Sequence, residues 1–367
     1  MANALWVGTR KGLFYCQRQN GRWSITQSEF LGVQVPMVLA DPHSGQVFAA
    51  LQHGHFGAKF HRSEDGSSWH ETAVPTYPEK PDDVPETIDS MRNQPVPWSL
   101  ELIWELAAAP SGRLWCGTIP GGLFYSDDRG ESWELLRSLW DLPERSMWFG
   151  GGYDYPGIHS VCIDPTDQRR LSVGVSCGGV WFSADNGQTW EARTKGMHAT
   201  YMPPERAEDP AIQDPHLVAQ CPSDPSTLWV QHHNGIFVTR DYGHLWSECQ
   251  CEDPSSFGFA VASHPHDAGT AWFVPAISDE LRYPKHGKFV VTRTRDGGAT
   301  FDVLTDGLPQ KDAYHLVFRH ALCVDDSGEL LAMGSTTGGL WVSENGGDSW
   351  ECLTQGLPPV YCVRFAS

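Results

Sequence analysis

Apolar residues alternate with polar ones in short runs along the whole chain, each run broken by Gly, Pro, Asp or Asn. This pattern predicts β-strands nearly everywhere. Many runs come in pairs joined by a short Gly-containing turn, as in LWCGTIPGGLFYS from Leu114, LSVGVSCGGVWFS from Leu171, LWVQHHNGIFVT from Leu228 and LLAMGSTTGGLWVS from Leu330. A further run lies upstream and ends in a Pro-containing turn: HSVCIDP from His159, HLVAQCP from His216 and FAVASHP from Phe259. With the strand that follows each pair, one unit is four short antiparallel strands, the content of a propeller blade.

The turn before each fourth strand repeats nearly the same phrase. The copies are Ser126-x-Asp128-x-Gly130-x-x-Trp133, Ser183-x-Asp185-x-Gly187-x-x-Trp190, Thr239-x-Asp241-x-Gly243-x-x-Trp246, Thr294-x-Asp296-x-Gly298-x-x-Phe301, Ser343-x-Asn345-x-Gly347-x-x-Trp350 and the shorter Ser63-x-Asp65-Gly66-x-x-Trp69. The Asp or Asn is expected to bond backbone amides two residues on, the Gly to take φ > 0, and the aromatic to plug into the core. The spacing, roughly 50 to 60 residues, is that of a repeat array. The phrase resembles the Asp-box, or bacterial neuraminidase repeat (BNR), and the resemblance extends over essentially the whole chain.

The segment from Leu5 (LWVGTRKGLFYC) supplies the last three strands of a blade without the first, and Tyr361–Phe365 reads as a lone first strand. Pairing the two chain ends makes a seventh blade and leaves no open sheet edge. The expected architecture is all-β, one seven-bladed β-propeller over residues 1–367, with strand 360–366 completing the N-terminal blade. Segment 271–301 keeps the blade pattern despite a longer turn at residues 276–287.

Composition narrows the partners. A formal charge of −19 argues against nucleic acid or an anionic membrane. No apolar run approaches the length of a membrane span, and MANALWVGTRKG runs straight into a strand without a signal-peptide core. Ten cysteines scattered through strands, Cys116, Cys162, Cys323 and Cys362 among them, read as small buried hydrophobes, so the expected location is cytoplasmic. The Cys249-x-Cys251 pair lacks the second pair of a structural zinc site, and there is no P-loop or H-E-x-x-H. The oligomeric state is left open.

Because blade strands run up and down, the Asp-box turns share one face, and the inter-blade links occupy the other. Those links include residues 71–100, 136–158, 191–215 and 304–319, and long loops on a rigid scaffold are where chemistry concentrates. Aligning the first strands puts Pro36, Trp104, His159, His216, Phe259, His320 and Tyr361 in a ring at the mouth of the channel on this face, with His315 competing for the place of His320. Nearby turns add His53, His55, His232 and His233. The expected ligands of a divalent metal (Mn, Zn or Ni) are His159, His216 and His320. Asp214, His232, His233 and Arg319 are the candidate catalytic groups, and Trp104, Tyr361, Arg282 and His53 the candidate substrate contacts.

The repeats resemble those of the BNR-like proteins often labelled sialidase-like or glycosyl hydrolase. True sialidases carry an Arg-Ile-Pro segment and an arginine triad; this chain has no Arg-Ile-Pro, and its channel mouth presents His, Trp and Phe. Seven-bladed propellers such as oligogalacturonate lyase are similar in architecture and hold a divalent metal on channel histidines. The expected function is a propeller enzyme acting on a small polar or carbohydrate-like substrate as a metal-dependent hydrolase or lyase. The alternatives are a metal-free, sialidase-like glycoside hydrolase using loop carboxylates such as Asp154, Asp214 or Asp279, and a protein-interaction scaffold.

Overall fold

The computed structural model describes residues 1–366 and contains seven four-stranded antiparallel sheets and one two-stranded hairpin. The first strands, Gln34–Ala40, Leu102–Ala108, Ile158–Ile163, Pro215–Cys221, Gly258–Ser263, Leu322–Val324 and Val360–Phe365, each touch the next and the last touches the first, closing the ring. Blade one is the seam. Its inner strand, Val360–Phe365, pairs antiparallel with Ala4–Thr9 in the register Leu5 with Phe365, Val7 with Val363 and Gly8 with Cys362. No helix is long and apolar enough to cross a membrane among the described residues.

Indoles fill the space between blades. Trp115, Trp229, Trp272 and Trp341 are fully buried, because a flat twisted sheet facing another needs large side chains to reach across. Apolar clusters accordingly mix residues of neighbouring blades, as where Trp229 and Val238 of blade five meet Val261 and Phe273 of blade six.

The Asp boxes do structural work, by a geometry that differs from the sequence expectation. In five of them the Asp or Asn oxygen accepts from the backbone amide four residues on, not two: Ser132, Thr189, Leu245, Thr300 and Ser349, at 2.9–3.0 Å. The leading hydroxyl accepts from the amide of the box glycine at 2.8–3.0 Å. Only the shortened box bonds nearer, Asp65 accepting from Ser67 and Ser68. In the five full boxes the glycine takes a φ of 81–93° and the residue before it (Arg129, Asn186, Tyr242, Gly297 or Gly346) is left-handed too, and together they fold the chain back on the carboxylate. A Cβ at Gly130 would lie 2.6 Å from Phe60 of the preceding blade, and at Gly66 2.8 Å from Trp6, so each box also latches one blade to the last.

The boxes predict acid sensitivity. The Thr189 and Thr300 hydroxyls, followed by the amides of the same residues, pull Asp185 and Asp296 down to about 2. A carboxylate whose folded pKa is depressed from ~3.9 contributes stability above that value and loses it as pH falls through the folded value. The melting temperature is expected to be flat near neutrality and to fall between about pH 4 and pH 2. A calorimetric pH series checks this; a flat profile down to pH 2 would remove the boxes from the stability account.

Candidate functional site

Two neighbouring cavities open at the mouth of the channel on the long-loop side, and no Asp-box residue lines either. The first, about 250 Å³, receives Pro36, Trp104, Phe259, His320 and Tyr361, five of the seven ring positions. The first strands enter from this side, so their early residues point to the axis. Arg319 lies over the rings of Trp104 (4.9 Å) and Phe259 (5.3 Å), and Tyr153 meets Trp104 edge-on at 5.0 Å.

The second cavity, about 200 Å³, shares Gly152, Phe259 and Arg282 with the first. Its polar centre is Asp214, His216 and His233, whose ligand atoms all lie within 4.8 Å of one another. Asp214 Oδ2 stands 3.4 Å from His216 Nε2 and 3.5 Å from His233 Nδ1. Its Oδ1 accepts from the Cys177 amide at 3.1 Å and the Ser176 hydroxyl at 3.3 Å. Cys177 reaches that position in a left-handed conformation, φ 47°, unusual for a side chain with a Cβ. Burial opposes ionisation of Asp214, yet His216, His233 and Arg319 together hold its carboxyl well below the usual range.

The tautomer of His216 is set by its backbone neighbour. Nδ1 faces the Gly258 carbonyl at 2.6 Å and must donate to it. Nε2 is left facing the Asp214 carboxylate, donating to it when the ring carries both protons and able to bind a cation when it carries one. His233 repeats the arrangement more loosely, with Nδ1 toward Asp214 and Nε2 3.9 Å from Asp279 Oδ2. Two imidazoles and one carboxylate thus gather ligand atoms within 4.8 Å, with His216 oriented by the Gly258 carbonyl on its far side, a set that suits a divalent cation.

The loop at Gly150–Gly152 brings backbone into this space. A Cβ on Gly151 would lie 2.5 Å from Cys177 Sγ, and one on Gly152 2.8 Å from Arg319 Nη2. The loop is held by the insertion at residues 71–100, whose hairpin of Ile88–Asp89 and Gln94–Pro95 carries a buried Asp89. Asp89 Oδ2 accepts from the Gly150 amide at 2.6 Å, and Arg92 donates to the Gly150 carbonyl at 2.7 Å. The insertion at residues 191–215 adds Tyr201, edge-on to His233 at 5.0 Å. Both insertions therefore wall the site. Composition singled these segments out, whereas the Ser176 and Cys177 donors, Asp89 and Tyr201 carry no sequence signal beyond the triple glycine.

The expected ligand set of His159, His216 and His320 does not converge. His159 is fully buried behind Trp104, its Nδ1 beside Ser160 Oγ, and burial followed by the charge of Arg319 keeps it neutral. His320 lines the first cavity but turns Nε2 to Glu105 Oε2 (2.9 Å) and the His159 carbonyl (2.8 Å) rather than to the Asp214 cluster. His315 packs on Phe289 and Trp341, away from the axis. His232 points into blade five between the Asp214 and Asn234 amides, because successive strand residues face opposite ways and His233 takes the cavity side. His53 sits in the second-to-third turn of blade two and lines neither cavity. Asp154 pairs with Arg92 at 3.5 Å rather than facing the site. The structure gathers Asp214, His216, His233, Arg319, His320, Arg282, Trp104 and Tyr361 around the two cavities.

Comparison with known proteins returns the same architecture. The BNR/Asp-box repeat model matches residues 124–135 and 181–192. An oligoxyloglucan-reducing end-specific xyloglucanase of Emericella nidulans is 25% identical over 210 residues, covering 52% of this chain and 24% of that enzyme. Xyloglucanase Xgh74A of Acetivibrio thermocellus is 37% identical over 75 residues, 19% of this chain and 8% of that protein. The chain thus spans about a quarter or less of the length of these relatives. Among solved structures, the GH74 enzyme of Niastella koreensis superposes with a TM-score of 0.61 at 15% identity, over 96% of this chain and 54% of that one.

Proposed function

We propose that this seven-bladed propeller of the BNR/Asp-box repeat type is a carbohydrate-active enzyme, a hydrolase or lyase that binds a small polar sugar at the mouth of its channel. The observation that carries the reading is the adjacency of the two cavities: the Asp214–His216–His233 cluster lies across Gly152, Phe259 and Arg282 from a wall of Trp104, Tyr153 and Tyr361. Aromatic rings take the apolar faces of a sugar while polar groups at the edges take its hydroxyls. The sequence relatives, both xyloglucanases, support a carbohydrate substrate.

In this reading Asp214, His216 and His233 hold one divalent cation, Mn, Zn or Ni. When bound, such an ion polarises a substrate oxygen and acidifies a bound water. Asp214 would stay ionised, His216 would be fixed by Gly258, and His233 would keep its Nε2 on the side of the half-exposed Asp279. Tyr201 and the Gly150–Gly152 loop line the cavity around the cluster.

One observation favours a metal-free variant: Asp214 and Asp279 flank opposite nitrogens of a single imidazole. That places two carboxyls on a proton relay of the kind an acid–base glycosidase uses. The test is a screen of the purified protein against neutral and acidic oligosaccharides, xyloglucan fragments included, before and after chelation. Activity lost on chelation and restored by Mn²⁺, Zn²⁺ or Ni²⁺, with about one ion per chain by elemental analysis, is the expected result. Activity indifferent to chelator would select the metal-free variant, and no turnover of any saccharide would overturn the enzyme reading.

A further inference from the structure

We infer that the mouth of the channel contains a subsite for an anionic group on the ligand, a carboxylate or a phosphoryl, gripped by Arg319 with Arg282 beside it. The inference rests on the preceding reading only for the sugar that bears the group. Arg319 is 6% exposed, forms no ion pair and donates no hydrogen bond among the described residues, and its Nε and Nη2 are buried without a partner. Removing a guanidinium from water without a counter-ion is strongly unfavourable. The rings of Trp104 and Phe259 meet its π faces, but an aromatic face does not satisfy the in-plane N–H donors.

Among the described residues no carboxylate pairs with those donors. Asp214 is the nearest charge to act on Arg319, and it is already engaged by Ser176, Cys177, His216 and His233. Scarcity of acid is no explanation, for the chain carries 45 acidic residues against 26 basic ones. Gly152 presses its bare Cα side on the guanidinium, where a Cβ would lie 2.8 Å from Nη2, so the loop covers the arginine without partnering it. Arg319 borders the aromatic cavity on one side and, on the other, the channel cavity that Ser160 and Glu105 line.

Arg282 stands at the same opening. It lies 5.3 Å from the Phe259 ring, the distance at which Arg319 lies from that ring, and lines both cavities. Its Nε donates to the Asp279 carbonyl at 2.7 Å, which fixes the fork and leaves its outer nitrogens without a partner among the described residues. Two forks around one ring can hold a planar carboxylate or a phosphoryl oxygen set by paired hydrogen bonds. The cluster at Asp214 would then face the sugar carbon or oxygen next to that group.

The test is calorimetric titration of the whole protein with glucuronate, glucose 6-phosphate, glucose and inorganic phosphate at fixed ionic strength. At least one acidic sugar is expected to bind roughly 10–100-fold more tightly than glucose, a ratio reduced by added salt. Preference for glucuronate identifies a carboxylate, and preference for glucose 6-phosphate a phosphoryl. Arg319→Gln should erase the preference. Arg282→Gln, a change at an exposed side chain, should cut it several-fold, so a folding defect at position 319 cannot hide the result. Inorganic phosphate binding as tightly as the acidic sugars, with glucose not binding, would keep the anion subsite and sink the carbohydrate reading. Glucose binding as well as its acidic analogues, no binding by any of the four, or a preference untouched by both substitutions would overturn the subsite.

Discussion

Asp214→Asn is expected to leave the propeller folded while turnover on its substrate falls by roughly 10²–10⁴-fold. The amide oxygen of Asn can still accept from the Cys177 amide and the Ser176 hydroxyl, so the backbone at the left-handed Cys177 keeps its anchor. What disappears is the charge shared between His216 Nε2 and His233 Nδ1. An Asn nitrogen there donates to one imidazole and offers nothing to a cation. Metal content should fall with activity, while the melting temperature shifts by only a few degrees. Asp214→Ala separates the roles, since it also orphans two buried donors and should cost about 1–3 kcal/mol of stability. Turnover by the Asn variant at the wild-type rate would exclude Asp214 from the chemistry.

Deleting the closing strand from residue 360 onward should have the largest effect on the fold. Val360, Cys362 and Val363 are completely buried, and full burial of such side chains contributes about 1.5–3 kcal/mol each. The loss, roughly 5–8 kcal/mol, is comparable with the whole stability of a typical domain, about 5–15 kcal/mol. It also bares the inner edge of Ala4–Thr9, which then invites pairing with another chain. Urea unfolding followed by near-ultraviolet dichroism should show no cooperative transition, with aggregates by light scattering. A truncated protein that melts cooperatively near the wild-type temperature would refute the seam as the closing element.

The repeat made the fold readable, because blades are local four-strand units and box chemistry needs only hydroxyl, carboxylate and glycine in order. Strand alignment carried the reading as far as the mouth, since a period of two fixes which residues turn to the axis. It went no further. His159 shares the register of His216, yet Trp104 covers it and its ring meets Ser160. The same period could have separated His232 from His233, whose neighbouring positions point to opposite sides of blade five. Contacts between distant loops had no local signature at all: Asp89 reaches Gly150 across 61 residues, and Ser176 reaches Asp214 across 38. Such meetings depend on the ring being closed first.

The seam also orders events during synthesis. Arg319 and His320 lie outside any regular strand, and they are held from the far end of the chain: the Val363 amide and the Arg364 side chain both donate to the His320 carbonyl. Tyr361, on the same last strand, finishes the aromatic wall. A ribosome that has made six blades has therefore made no working mouth. The residues proposed to bind ligand and those that close the ring overlap, so a ligand bound there would tighten the seam, and a chain without its last strand would lose both.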